Sequence, residues 1–235
     1  KVQLSPSGDK MFIADFYTRS IVQYPLSVAW DVSSASTGIR TAYELGEEGG
    51  TRRLSGFAID NGGTRLYSLD NTDTNRIIQY EMSTAFDVST ISYNGDSLYL
   101  RGNGGLGYPW ESESRGLTFN KYGTKLFTSG YTYDQILQFN LRVPYDLSTA
   151  SFEKSIYSYT KDPSSLEIDD SNSKLYVLSS GEDRIVQFDT KGNGGNDLDL
   201  DSIEFKDGVA KAPLKVIGKS KTTGTEITFL PSKQI

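Results

Sequence analysis

An all-β fold of four repeated units, each of about four antiparallel strands, is what this 235-residue sequence predicts. Three observations carry that prediction. A block recurs four times, as VQLSPSGDKMF from Val2, FAIDNGGTRLY from Phe57, LTFNKYGTKLF from Leu117 and LEIDDSNSKLY from Leu166, at intervals of 55, 60 and 49 residues. A second module, I-[VIL]-Q-[YF], follows each block at 19 or 20 residues, from Ile21, Ile77, Ile136 and Ile185. A third module, WDVSSAS from Trp30, FDVSTIS from Phe86 and YDLSTAS from Tyr145, begins nine residues after the second in three copies. A fixed period of this size marks a repeat architecture in which each unit buries its apolar face on its neighbours.

Each module converts into an element. The first block is an alternating apolar stretch, a tight turn and a second alternating stretch, the pattern of two antiparallel strands in a hairpin. Gly8, Gly63, Gly123 and Asn172 share one offset in that turn, and Gly and Asn are the residue types that tolerate positive φ. The I-[VIL]-Q-[YF] module supplies a third strand, rich in β-branched and aromatic residues, with Gln on the opposite face from its neighbours. Tyr93 to Leu100 and Phe152 to Tyr159 supply fourth strands. Four antiparallel strands per repeat at this period predict a β-propeller of about four blades, with the ring either incomplete or closed by tail strands at 214–217 and 226–230. No segment shows the sustained apolar stripe of a helix. Equivalent offsets predict equivalent packing, so Leu4, Ile59, Phe119 and Ile168, and Met11, Leu66, Leu126 and Leu175, are expected at the interfaces between blades.

These blades resemble propeller repeats of the YVTN, NHL and WD40 type. They are most similar to uncharacterised bacterial and phage proteins whose blades read G-[LI]-[AT]-F-x-x-x-G-T-K-[LM]-[FY] and then L-S-T-x-[FY]-D-[VL]-S-T-A-S. The resemblance covers residues 1–201 and implies a fold, not an activity. Residues 202–235 break the pattern, and the run Gly224 to Ser232 resembles a piece of the ATPase domain of DNA gyrase or topoisomerase IV. In that family the Thr matching Thr225 lies beside the adenine pocket. The family's Asn-Asp-Gly magnesium motif and Gly-rich lid have no counterpart here, so no ATP site is carried over and no cofactor is expected. The junction reads as a composite reading frame rather than a functional fusion, and the chain as a fragment.

Composition narrows the chemistry. A net charge of −6 argues against a nucleic-acid binder, which would carry a basic patch. No apolar run approaches the ~18 residues that span a bilayer. With no Cys, disulfides and thiol nucleophiles are absent. With no His, Ser-His-Asp triads, His-ligated zinc and imidazole bases are excluded for this polypeptide. The segments Asp70 to Asn75 and Gly192 to Leu198 offer clustered oxygens. Calcium needs six to eight, however, and ordinary Asx turns account for both. Asp31, Asp87 and Asp146 stand in a D-[VL]-S-[ST] context that hydrogen-bonds its own backbone and reads as structural.

Candidate binding residues fall on loops. Length varies mainly in the connection from each third module to the next blade, and exposed loops on a rigid scaffold are where binding concentrates. The loop Arg101 to Gly116 places Tyr108 and Trp110 beside Glu111 and Glu113, and the loop Ser129 to Gln135 adds Tyr131, Tyr133 and Asp134. Tyr17 has a comparable offset in the first blade. Aromatic faces with nearby carboxylates suit a sugar or a peptide, although Trp110 packed between blades would need no ligand at all. The expectation is a non-catalytic binding or display scaffold, taking a glycan or protein ligand through Tyr17, Tyr108, Trp110, Glu111, Tyr131, Tyr133 and Asp134. Neither nucleic-acid binding nor membrane insertion is expected, and an extracellular, cell-surface or virion location is favoured. The alternatives are a structural spacer or a carboxylate-based glycosidase, which needs two carboxylates facing one groove and has only Glu111, Glu113, Asp134 and Asp70 to draw on.

Overall fold

Alternation of apolar and polar residues on either side of a two- or three-residue turn puts one face of each segment in contact with a neighbour and leaves the backbone to pair in ladders. The structure, a computed structural model, describes residues 1–15, 18–41, 45, 54–71, 75–100, 113–169, 174–190 and 203–205. Among them are four four-stranded antiparallel sheets. The first contains β1 (Val2–Leu4), β2 (Lys10–Asp15), β3 (Ser20–Pro25) and β4 (Ile39–Arg40). The second contains β5 (Leu54–Ile59), β6 (Arg65–Asp70), β7 (Arg76–Met82) and β8 (Ile91–Tyr99). The third contains β9 (Ser114–Phe119), β10 (Lys125–Gly130), β11 (Gln135–Leu141) and β12 (Ala150–Tyr157). The fourth contains β13 (Pro163–Ile168), β14 (Lys174–Ser179), β15 (Arg184–Thr190) and β16 (Ile203–Phe205). Every sheet runs in sequence order, each strand antiparallel to the next, so each repeat is one blade of a β-propeller.

The blades stack face to face, and the period of two along each middle strand decides what goes where. On β6, Leu66 faces the first blade and packs in a cluster with Phe12 and Ile21, whereas Tyr67 and Leu69 face the third blade and pack with Leu117 and Leu126. The pattern repeats at the next interface, where Phe127 and Ile136 meet Leu166, Leu175 and Val186. Burying each such side chain contributes about 1.5–3 kcal/mol. Leu66, Leu126 and Leu175 are fully buried, as their shared offset predicts, whereas Met11, their counterpart in the first blade, is half-buried. Leu4, Phe119 and Ile168 are only half-buried, while Ile59 is buried. All four are the last residues of their inner strands, opposite Met11, Leu66, Leu126 and Leu175, where the sheets open onto a cavity that leaves three of them partly exposed. Phe119 is held there by two rings, with centroids 4.6 Å from Tyr67 and 5.3 Å from Tyr145.

Three side-chain devices recur among the first three blades. Asp31, Asp87 and Asp146 each cap a single 3-10 turn, the carboxylate accepting from the amide of Ser33, Ser89 or Ser148 at 2.9–3.0 Å. The aromatic just before the cap adopts positive φ and lies flat on the hairpin turn of its own blade. Gly63 (φ +68°) and Gly123 (φ +69°) are glycine for that reason, since a Cβ at either would stand 2.3 Å from the ring of Phe86 or Tyr145. The Gln of the third strand crosses between blades. Gln23 Oε1 accepts from the Val88 amide at 3.1 Å, and Gln79 Oε1 accepts from the Leu147 amide at 3.0 Å, so these two hold the 3-10 turn of the following blade, whereas Gln138 donates to Glu153 within its own blade.

The expected tail strands at 214–217 and 226–230, and the segment resembling the gyrase ATPase domain, lie outside the described residues apart from Ile203–Phe205. Those three pair with β15 as the outer strand of the fourth blade. No protein comparison supports a gyrase-type segment. Among the described residues no helix is long and apolar enough to cross a membrane.

Candidate functional site

The two ends of the inner strands carry different chemistry. At the N-terminal end lie the turns between second and third strands, where the sequence places Tyr131, Tyr133 and Asp134. Tyr131 is half-buried with the Arg115 guanidinium 3.5 Å above its ring centre, and Arg115 is paired with Glu113 at 3.3 Å. Tyr133 is exposed. Asp134 takes positive φ and its carboxylate accepts from the Asp162 amide at 2.8 Å, tying this turn to the connection that enters the fourth blade. Asn75, at the same offset in the second blade, accepts from the Ser114 amide at 3.0 Å and fixes the entry to the third. Both side chains therefore set the path between blades. Asp70 is buried at the end of β6. Tyr17, Tyr108, Trp110 and Glu111 lie outside the described residues. Of the predicted residues, the structure thus brings together Tyr131, Tyr133 and Asp134 on one turn.

At the C-terminal end the four inner strands open into a funnel of about 750 Å³. Each strand is followed at once by a polar residue, Ser5, Asp60, Asn120 or Asp169, and all four line the funnel. Their oxygens serve the hairpins. Ser5 accepts from Lys10, Asp60 from Thr64 and Arg65, Asn120 from Lys125 and Asp169 from Lys174, each through a backbone amide at 2.8–3.1 Å. One residue earlier than the strand's last, the offset holds Gln3, Ala58, Thr118 and Glu167. Gln3 pairs with both backbone groups of Ile59 at 3.0 Å, clamping the first blade to the second.

Glu167 is different. Its side chain is 63% exposed, and its carboxylate meets the ammonium of Lys1 at 3.4 Å. The Lys1 side chain is only 9% exposed and also donates to the carbonyl of Leu117, so this one cation spans from the first blade to the third and fourth. An ammonium has three donors, and these two bonds leave a third. Tyr145 and Trp30 supply aromatic walls. The Tyr145 hydroxyl donates to the Lys121 carbonyl at 3.1 Å, and burial, helped by the charge of Asp60, pushes its pKa up to about 12, so it stays a neutral donor. Among the described residues no group of three or more acidic, His or Cys side chains is placed to hold a metal ion. Reading the sequence for loop length and aromatics directs attention to the other end. The signal for this one was the polar residue closing the inner strand in all four blocks.

No protein-family profile matches the chain. No curated protein matches it either. Solved structures do. A proposed 6-phosphogluconolactonase from Bacteroides uniformis superposes with a TM-score of 0.51 at 14% identity, over 83% of this chain and 53% of its own. A second proposed 6-phosphogluconolactonase, from Bacteroides fragilis, gives 0.51 at 12% identity over 81% and 50%. A functionally unknown protein from Desulfotomaculum acetoxidans gives 0.53 at 11% identity over 87% and 68%. The chain therefore spans about half the length of the two lactonase-named structures. Identities this low establish likeness of fold. They also correct the expectation of a non-catalytic binding or display module, because the solved counterparts that carry an activity in their names are named for an enzyme, and the enzyme alternative is the better supported of the two.

Proposed function

We propose that this propeller serves a hydrolase of small, hydroxyl-rich cyclic esters, the lactone class for which two of its structural counterparts are named. The observation that carries the reading is the Glu167–Lys1 pair lining a funnel of about 750 Å³, a volume in the range of small-molecule sites. Hydrolysis of a lactone needs a base to take a proton from water and a positive group where the carbonyl oxygen becomes an anion. Glu167 is the funnel carboxylate not used by a hairpin amide, and it is exposed enough to meet water. As the water oxygen adds to the carbonyl carbon, its proton passes to Glu167. The new oxyanion is stabilised by the remaining N–H of the Lys1 ammonium. Collapse re-forms the carbonyl and breaks the ring C–O bond, and the leaving oxygen takes the proton back from Glu167 to become a hydroxyl. Asn61 and Lys121 at the rim suit a substrate hydroxyl and an anionic substituent. This assignment retains the carboxylate chemistry of the glycosidase alternative while moving it to a different carboxylate and a different bond.

The test is a pH-stat assay with sugar-acid δ-lactones, phosphorylated and unphosphorylated, comparing the chain with Glu167→Gln. Removing a positioned base lowers turnover about 10²–10⁴-fold, while circular dichroism of the variant stays unchanged. Hydrolysis no faster than the spontaneous rate, or turnover unaffected by Glu167→Gln, overturns the reading.

A further inference from the structure

Each repeat has a two-residue tip in its hairpin, and the second repeat alone puts an Asn–Gly pair there. Between the polar residue that ends the inner strand and the turn position lie Pro6–Ser7, Asn61–Gly62, Lys121–Tyr122 and Asp170–Ser171. Gly63 takes positive φ, whereas Gly62 does not. The counterparts of Gly62 in the first and third blades are Ser7 and Tyr122, and a Cβ on Gly62 would have only the tips of two side chains as near neighbours, Asp60 Oδ2 at 3.3 Å and Thr64 Oγ1 at 3.8 Å. The turn therefore does not dictate glycine here. What glycine does is leave the backbone amide after Asn61 without a side chain to shield it. Asn61 and Gly62 are both exposed, and the amide that closes the turn is the next one, Gly63 donating to the Asp60 carbonyl at 3.0 Å. Asn61 also reaches across the junction between blades. Its Nδ2 donates to the Lys121 carbonyl at 2.8 Å, tying the second tip to the third on the funnel wall.

We propose that Asn61–Gly62 is a site of spontaneous covalent modification, at which the second blade loses its amide tie to the third and the funnel rim gains a carboxylate. The Gly62 nitrogen, its proton taken by hydroxide, adds to Cγ of Asn61. The new C–N bond closes a cyclic imide as the Cγ–Nδ2 bond breaks, and the side-chain nitrogen leaves as ammonia. Water then opens the imide. Cleavage between Cγ and the Gly62 nitrogen restores the main chain with aspartate in place of Asn61, whereas cleavage at the backbone carbonyl leaves the main chain running through Cγ, one carbon longer. One water enters, one ammonia leaves, and nothing is oxidised or reduced. Both products lack Nδ2, and a carboxylate is an acceptor only, so neither can bond the Lys121 carbonyl. The modification does not depend on the ester chemistry proposed for the funnel. Four Asn–Gly pairs occur in the sequence, at Asn61, Asn94, Asn103 and Asn193, the last two outside the described residues. Asn94 is also exposed, on β8, but both ends of its amide are held by Asp96, Oδ1 by the backbone N–H at 3.1 Å and Nδ2 by the carboxylate at 3.0 Å. Asn120, in the third hairpin, is buried and is followed by Lys121.

The test incubates the folded chain at neutral and at mildly alkaline pH and follows each Asn by peptide mapping, reading the mass gained when NH is exchanged for O. The expected result is conversion at Asn61 that quickens as pH rises, runs ahead of conversion at Asn94 and is absent at Asn120, with the ordinary and the chain-extended products separated by chromatography. Gly62→Ser, which gives the second tip the residue of the first, should slow conversion at Asn61 severalfold with circular dichroism unchanged. The fraction carrying ordinary aspartate should unfold at the same urea midpoint as Asn61→Asp, below that of the parent, because both lack the donor to Lys121. An Asn61 that stays an amide while Asn94 converts overturns the proposal, since the hairpin would then be holding the Gly62 nitrogen away from Cγ. Conversion at Asn61 that is indifferent to Gly62→Ser overturns it too, because the unshielded amide would not be the attacking group. A midpoint unchanged in Asn61→Asp overturns the loss of the tie between blades as its consequence.

Discussion

Replacing Gln79 by Met isolates the hydrogen bond that joins the second blade to the third. Gln79 is buried in β7, and its Oε1 accepts from the amide of Leu147 at 3.0 Å. Met keeps the length of the side chain and adapts to irregular packing, and swaps of conserved volume usually cost little by themselves. What the substitution removes is the acceptor. Leu147 is itself buried, so its N–H cannot turn to water, and a buried donor left unpaired costs about 1–3 kcal/mol. A loss of about 2 kcal/mol corresponds to a fall in melting temperature of roughly 4–8 °C for a domain of this size. Urea unfolding followed by Tyr and Trp fluorescence should show the midpoint falling with the slope unchanged, which identifies a change in stability rather than in compactness. Gln23→Met, which orphans the Val88 amide in the same way, should lose a similar amount. Amide exchange at Leu147 should quicken selectively in Gln79→Met. If both variants unfold within about 0.5 kcal/mol of the parent, the level of ordinary surface substitutions, the Gln is not a junction element and the blades are held by apolar contact alone.

How much of this was legible follows from sequence distance. The hairpins and third strands could be read because each is written four times within a few residues, and the turn position of Gly63 is visible in the block itself. The stacking of Phe86 on Gly63 was not read, although an offset of 22 or 23 residues between glycine and aromatic in three blades was available as a signal. The Gln latch spans 65 or 68 residues. The sequence shows Gln on the opposite face of its strand, but only the stacking of blades reveals which amide it meets. The candidate site shows the same limit more sharply. Lys1 and Glu167 belong to opposite ends of the repeat array and come together only because inner strands converge. Loop length and aromatic content pointed to the other end of the strands, where Asp134 turns out to hold the Asp162 backbone. A chain without His offers no familiar catalytic motif, which is why a binding scaffold was the natural expectation and why likeness of fold was needed to correct it.

Gly63→Ala should cost more than its backbone strain, because the left-handed conformation costs about 1–2 kcal/mol and the new Cβ, 2.3 Å from ring carbons of Phe86, must also displace the ring. In a Phe86→Ala background the strain alone should remain, and equal losses in both backgrounds on denaturant unfolding would show that the ring does not dictate the glycine. The last expectation concerns alkaline pH. The folded protein holds Tyr145 neutral with a pKa pushed up to about 12, chiefly through burial, and burial raises that of Tyr67 as well. An unfolded tyrosine ionises near pH 10, so the folded pKa lies above the unfolded one. The stability contributed by the neutral hydroxyls is therefore fully present below about pH 10 and is lost as pH rises from there through the folded value. Tyr145→Phe removes one of the two groups, so its melting temperature should decline less steeply than that of the parent between pH 10 and 12, with tyrosinate absorbance tracking the difference. Identical slopes for parent and variant would mean that Tyr145 ionises in the folded state as freely as in the unfolded one, and that the hydroxyl bonded to the Lys121 carbonyl is not the protected donor described for the funnel wall.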